Sequence, residues 1–166
     1  MRLRPYIHCL DFETLRKWMT DERTHSLWSA GRFPFPLEGN SFRQSLDDIA
    51  LRSCDAPFIA TDDDGKPVGF FCYSVNPASN EGMLKFVMID SSLRGKGYGR
   101  QMIELAVSYA FQFTGAEAVI LNVFSVNEAA KHCYLSAGFT VRTETPDAFA
   151  YKNESWGRCN MIIHKA

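Results

Sequence analysis

Apolar and polar positions along this chain alternate with periods that change repeatedly, and each change marks an element. Leu3 to Cys9 reads as a short edge strand, and Asp11 then opens a helix whose apolar stripe is Leu15, Trp18 and Met19, with Asp11 as its cap. The pattern lapses between Thr24 and Gly31, where the helix breaks, and Phe33-Pro34-Phe35-Pro36 is extended because each proline restricts its predecessor. Asn40 or Ser41 caps a second helix that runs to Ser53 and buries Phe42, Leu46, Ile49 and Ala50. After Asp55-Ala56-Pro57 the strands begin. Phe58 to Thr61 and Pro67 to Val75 are joined through Asp62-Asp63-Asp64-Gly65-Lys66, and an Asp-Gly step between apolar runs signals a hairpin.

Asn76 to Gly82 is a polar turn, and Met83 to Ile89 is the third strand of an antiparallel meander. From Gln101 to Phe113 the period lengthens to that of a helix, with Met102, Leu105, Ala106, Tyr109, Ala110 and Phe113 on one face and Ile103 beside it. Thr114-Gly115-Ala116 ends this helix. Ala118 to Phe124 is an apolar run buried on both faces, and a strand reached through a helix lies parallel to the one before it. Asn127 to Ala137 is another helix, stopped by Gly138, and Phe139 to Thr143 and Arg158 to His164 are two last strands joined by a polar loop. The expectation is an α/β (α+β) mixed sheet flanked by helices.

Composition narrows what such a sheet does. At 166 residues the chain fits a single domain, residues 1–166, and no linker, repeat or low-complexity run divides it. A net charge of −1 with 22% charged residues gives no broad basic face for nucleic acid. The five cysteines, Cys9, Cys54, Cys72, Cys133 and Cys159, are odd in number and contain no C-x-x-C pair, so they form neither a disulfide framework nor a zinc cluster, and no metal is expected. No apolar run approaches the roughly 20 residues of a membrane helix, and no signal core opens the chain. A soluble cytoplasmic protein with no membrane partner is expected.

Candidate chemistry concentrates in one stretch. Between the strand ending at Ile89 and the helix at Gln101 lie Arg94-Gly95-Lys96-Gly97-Tyr98-Gly99-Arg100, three glycines interleaved with three cations. Glycines let backbone approach a ligand, and the free N–H groups of a helix start favour an anion. A P-loop requires a Lys-Ser or Lys-Thr pair that is missing here. A dinucleotide fingerprint begun at Gly95 puts its third glycine on Arg100 and stands mid-chain after a meander. Both fit poorly.

Arg94-Gly95-Lys96-Gly97-Tyr98-Gly99 matches Q/R-x-x-G-x-G/A, followed by Asn127, by Tyr134 seven residues later, and by Gly138-Phe139. Together these residues resemble the GNAT superfamily of N-acetyltransferases, convincingly over about Met83 to Val141. The resemblance implies acetyl-coenzyme A as cosubstrate and transfer of its acetyl group to a primary amine, a small molecule or a protein N-terminus, by direct attack. It implies that Gly95 to Arg100 hold the pyrophosphate, including Lys96, Tyr98 and Gly99. Main chain of Val87, Met88 and Ile89 would pair with the pantetheine amides like a short strand. Asn127 would bond the same arm, a main-chain N–H near Met88 would polarise the thioester carbonyl, and Tyr134 would protonate the leaving thiolate.

One position departs from the pattern. Several relatives carry a Glu as base where this chain has Asn122, and an amide takes no proton at neutral pH. Glu81 and Asp90 are the nearby carboxylates, each also readable as a solvated turn residue, or the amine arrives neutral. Cys133 lacks a partner base and reads as a buried thiol. In relatives the segments holding Trp18, Trp28, Phe33, Phe35 and Trp156 line the acceptor groove. The alternative function is a non-catalytic acyl-coenzyme A binding or regulatory module, and the oligomeric expectation is a monomer or homodimer.

Overall fold

The computed structural model describes residues 1–166 as β1 (Arg2–Pro5), α1 (His8–Trp18), α2 (Glu22–Ser29), α3 (Gly39–Ser53), β2 (Ala56–Thr61), β3 (Pro67–Asn76), β4 (Glu81–Ile89), α4 (Tyr98–Phe113), β5 (Ala118–Phe124), α5 (Glu128–Ser136), β6 (Thr140–Tyr151) and β7 (Glu154–His164). One sheet carries all seven strands in the order β1-β2-β3-β4-β5-β7-β6. Strands β1 to β4 form the expected antiparallel meander, and β5 lies parallel to β4. Two apolar layers result. Helices α4 and α5 cover one face through Met102, Ile103, Ala106, Ala110 and Tyr134, while α1 to α3 cover the other through Leu15, Trp18, Trp28 and Phe42. No helix is long and apolar enough to cross a membrane.

The helix starts differ from expectation for local electrostatic reasons. Asp11 lies inside the first turn of α1, and its carboxylate reaches back to the Ile7 N–H (2.8 Å) while taking a two-pronged bond from Arg4 (2.7 and 2.6 Å). The helix therefore begins at His8. The expected break between Thr24 and Gly31 is instead α2, because the Asp21 carboxylate accepts the Thr24 N–H (2.8 Å) and hydroxyl (2.8 Å) and caps a new helix. These bonds hold its charged form, which lowers the Asp21 pKa to about 2. Helix α3 starts at Gly39, ahead of Asn40 and Ser41, with no side-chain cap.

At the other end of the chain the expected polar loop is ordered sheet. Strands β6 and β7 run on past Thr143 to a turn at Lys152 and Asn153, held by the aromatic pairs Phe149 with Trp156 (5.5 Å) and Tyr151 with Trp156 (4.7 Å). Pro146 and the polar exposed face of β6 hide this strand from a periodicity reading. On α4 the apolar face is displaced slightly: Val107 is buried, whereas Phe113 is exposed at the helix end.

Candidate active site

Strand β4 bonds to two neighbours only over its first half. Its parallel pairing with β5 stops at Leu84 against Leu121, while β5 continues with β7 to Phe124. Past Leu84 the two strands part. The cause is a bulge, since Phe86 and Val87 together face the single gap between Cys72 and Phe70 on β3, and Phe86 takes φ +51°. Such a backbone is costly for a phenylalanine. Trp28 on α2 offsets it by donating its indole N–H to the Phe86 carbonyl at 2.7 Å. Replacing Trp28 with Phe keeps the packing and removes this bond, so we expect a loss of about 1 kcal/mol in urea unfolding together with a raised KM for acetyl-coenzyme A.

Main chain at the end of β4 alternates in direction. The Asp90 N–H donates to the Val68 carbonyl at 2.9 Å, and Met88 stands in register with Phe70. Bonding through alternate residues turns Met88 toward β3 and leaves the intervening Ile89 groups facing the gap. Of the three residues expected to pair with a ligand, Ile89 thus has free main chain, and Val87 stands at the bulge beside it. Met88 instead buries its side chain in the aromatic layer.

Past β4 the chain makes a short 3-10 turn, Ser91–Leu93, capped by Asp90, and enters α4. Gly95 (φ +75°) and Gly97 (φ +83°) adopt the left-handed conformation, and a Cβ built on either meets nothing within 4 Å. They are glycine for the path of the chain and not for packing. Gly97 is the N-cap of α4, so the first N–H groups of a sixteen-residue helix have no side-chain cap. Arg100 is tied to Glu104 (2.7 Å), a bond that raises its pKa, while Arg94 forms no ion pair.

A cavity of about 610 Å³ collects these features. It is lined by Val87, Met88, Ile89, Arg94, Gly95, Gly97, Gly99, Arg100, Asn127 and Tyr134, ten of the twelve residues singled out from sequence. Lys96 and Tyr98 fall outside its lining; Lys96 is exposed, and Tyr98 packs against the α4 core layer. Asn127 is the N-cap of α5, its side-chain oxygen accepting the Ala130 N–H at 3.3 Å. That leaves its side-chain N–H groups for the cavity. Tyr134 is buried on α5, and burial raises its pKa above the usual tyrosine value, so its hydroxyl keeps its proton. Cys133, expected to be buried, is half-buried and lines the same cavity; this partial burial still raises its thiol above the usual value.

A second chamber, also of about 610 Å³, adjoins the first. Leu27, Trp28, Leu84, Phe86, Asn122 and Val123 line both, so the two meet where β4 and β5 part. No titratable side chain is among them. Asn122 accepts a bond from Asn160 at 3.0 Å. Neither Glu81 nor Asp90 lines either space: Glu81 pairs with Arg142 (2.8 Å) at the opposite end of β4, and Asp90 caps its turn. Of the aromatic residues expected near an acceptor, Trp28 alone lines the second chamber. Trp18, Phe33 and Trp156 are buried in the packing, and Phe149 from the unforeseen extension of β6 takes a place in the wall.

Solved structures with this fold include the spermidine N-acetyltransferase of Vibrio cholerae in complex with CoA and spermine. It is 18% identical, with a TM-score of 0.83, over 98% of this chain and 94% of that one. A chimera of the Vibrio cholerae enzyme SpeG and hSSAT matches at 16% identity and a TM-score of 0.81, over 99% of this chain and 96% of the other. The family model described as "Acetyltransferase (GNAT) family" matches residues 12–139. Acetyl-coenzyme A is the cosubstrate of that family. With its parted strands, glycine turn and matching motif over most of its length, the chain belongs to the GNAT family of acetyltransferases.

Proposed function

We propose that this protein transfers the acetyl group of acetyl-coenzyme A to a primary amine. The observation that carries the reading is the convergence on one cavity of the open end of β4, the uncapped start of α4 and Tyr134. Coenzyme A suits each part. Its pyrophosphate matches N–H groups from Gly97 to Arg100, with Arg94 and Arg100 supplying positive field. The amides of its pantetheine arm match main chain at Val87 and Ile89, and Asn127 offers a further donor. This direction along β4 brings the thioester to the junction of the two chambers.

The amine nitrogen attacks the thioester carbonyl carbon there, a C–N bond forms and the C–S bond breaks. A main-chain N–H next to Met88 stabilises the negative charge developing on the carbonyl oxygen, an effect of about 3 kcal/mol in comparable sites. Tyr134 gives its proton to the departing thiolate and regains one from water, while the nitrogen, cationic after attack, releases a proton to water to leave the neutral amide. Because no carboxylate lines the junction, the amine reacts as the free base after losing its proton to solvent. The relatives named above act on spermidine, which supports an amine acceptor in general terms. We place the chain in the cytoplasm, acting as a single domain of 166 residues in a monomer or homodimer.

Incubation with acetyl-coenzyme A and a panel of primary amines is expected to release free thiol and yield N-acetylated product by mass spectrometry. Coenzyme A binding without release for any amine would replace this reading by that of a non-catalytic acyl-coenzyme A module, which Asn122 in place of a base favours.

A further inference from the structure

The second chamber has an unusual charge for a site that takes amines. Four cations line it, Arg32, Arg52, Lys85 and Arg158, against the carboxylates Asp48 and Asp55. Asp55, buried behind the wall, is engaged by Lys85 at 2.8 Å. The remaining three arginines and Asp48 take part in none of the ion pairs of the protein. By contrast Arg4, Arg16, Arg23, Arg100 and Arg142 each hold a carboxylate. Three free guanidiniums thus share one concave space with a single free carboxylate.

They come from separate parts of the fold. Arg32 follows the end of α2, Arg52 sits in the last turn of α3, and Arg158 stands on β7 in register with Phe124. The wall between them is apolar, with Leu27, Trp28, Phe124 and Phe149. Positive groups around a low-dielectric hollow focus their field within it. Guanidinium forks match the geometry of carboxylate and phosphate oxygens. None of the glycine-turn residues lines this chamber, so its cations are not part of the pyrophosphate site.

We infer that the acceptor is an anionic amine, one that presents its amino group at the junction beside Asn122 and its carboxylate or phosphate to Arg32, Arg52 and Arg158. This inference rests on the acetyl-transfer reading and names the substrate class for it. A polycation would instead meet like charge in the chamber, which selects against it.

Matched acceptors test this, with rates referred to the free-base amine at saturating acetyl-coenzyme A. 4-Aminobutanoate is compared with 4-aminobutanamide for a carboxylate, phosphoethanolamine with ethanolamine for a phosphate, and spermidine serves as the polycation. The anionic member of at least one pair is expected to lead by about tenfold or more in kcat/KM, and the pair that does so identifies the acid group. That lead should shrink several-fold through KM in the double variant Arg52→Gln with Arg158→Gln, and it should fall as potassium chloride is raised. Equal or better use of the uncharged amines or of spermidine overturns the inference and leaves acetyl transfer standing. Should no acceptor release thiol, acetyl transfer itself fails, and calorimetry of the same pairs on the coenzyme A complex decides. Binding selective for the anion and lost in the double variant upholds the inference, whereas equal binding of both members overturns it.

Discussion

Gly97→Glu should abolish coenzyme A binding while leaving a folded protein. A side chain at this position has open space around its Cβ, so the substitution creates no clash inside the chain. The cost to the fold is the φ of +83°, which an L-residue adopts at about 1–2 kcal/mol. The ligand suffers more. Glutamate at the N-cap puts a negative group among the N–H donors proposed above to hold the pyrophosphate, and like charge at that range costs several kcal/mol. Titration calorimetry should show affinity lowered by roughly two orders of magnitude or more, with the circular dichroism spectrum retained. Unchanged affinity would remove the glycine turn from the binding site.

Tyr134→Phe acts on the other half of the reaction. Phenylalanine fills the same buried space and removes only the hydroxyl, so coenzyme A affinity should change less than about twofold, whereas kcat should fall about 10²-fold, as for removal of a general acid. The pH profile adds a second readout. An acid must be protonated to act, and burial raises this tyrosine above its ordinary value of 10.0, so the active form persists across the whole range below that pH. In the native enzyme kcat/KM should therefore climb as the acceptor amine deprotonates and should show no descending limb up to about pH 10. A descending limb near neutrality would assign the acid to another group, and an unaltered kcat would leave Tyr134 with packing alone.

How much of this was legible in the sequence follows from how local each cause is. Strand β5 matches its expected bounds, Ala118 to Phe124, because a largely buried strand shows a nearly continuous apolar run, broken here only at the exposed Asn122. The Asp-Gly hairpin between β2 and β3 holds for a similar reason: Asp62 accepts the Lys66 N–H at 2.8 Å within the turn itself. Helix α2 was missed because its nucleus is one side chain, Asp21, and not a periodic stripe. Strand β6 shows in sequence only as far as Thr143, because its extension is stabilised by Trp156 and Phe149 across the hairpin, a pairing with no signature in either strand alone.

The site divides along the same line. The glycines, Asn127 and Tyr134 stand at fixed intervals that a reader of the sequence can match, and the cavity gathers them. Phe86 could not be found so, since nothing about a phenylalanine between Lys85 and Val87 announces a left-handed backbone; the bulge depends on Trp28, 58 positions away. The arginines of the second chamber are equally silent in sequence. They come from the ends of α2 and α3 and from β7, and their sharing of one hollow, together with their lack of carboxylate partners, is visible only once the chain is folded.

The parting of β4 from β5 has a consequence for how donor and acceptor share the molecule. Half of the inner edge of β4 has no strand to answer it, so a ligand laid there becomes part of the sheet as well as its guest. Under the acetyl-transfer reading proposed above, donor binding there adds its own free energy to the stability of the central strands, and the donor lies in a cavity whose lining the second chamber shares at Leu84, Phe86, Asn122 and Val123. Under that reading the two substrates share one wall, and the sheet is the element that connects them.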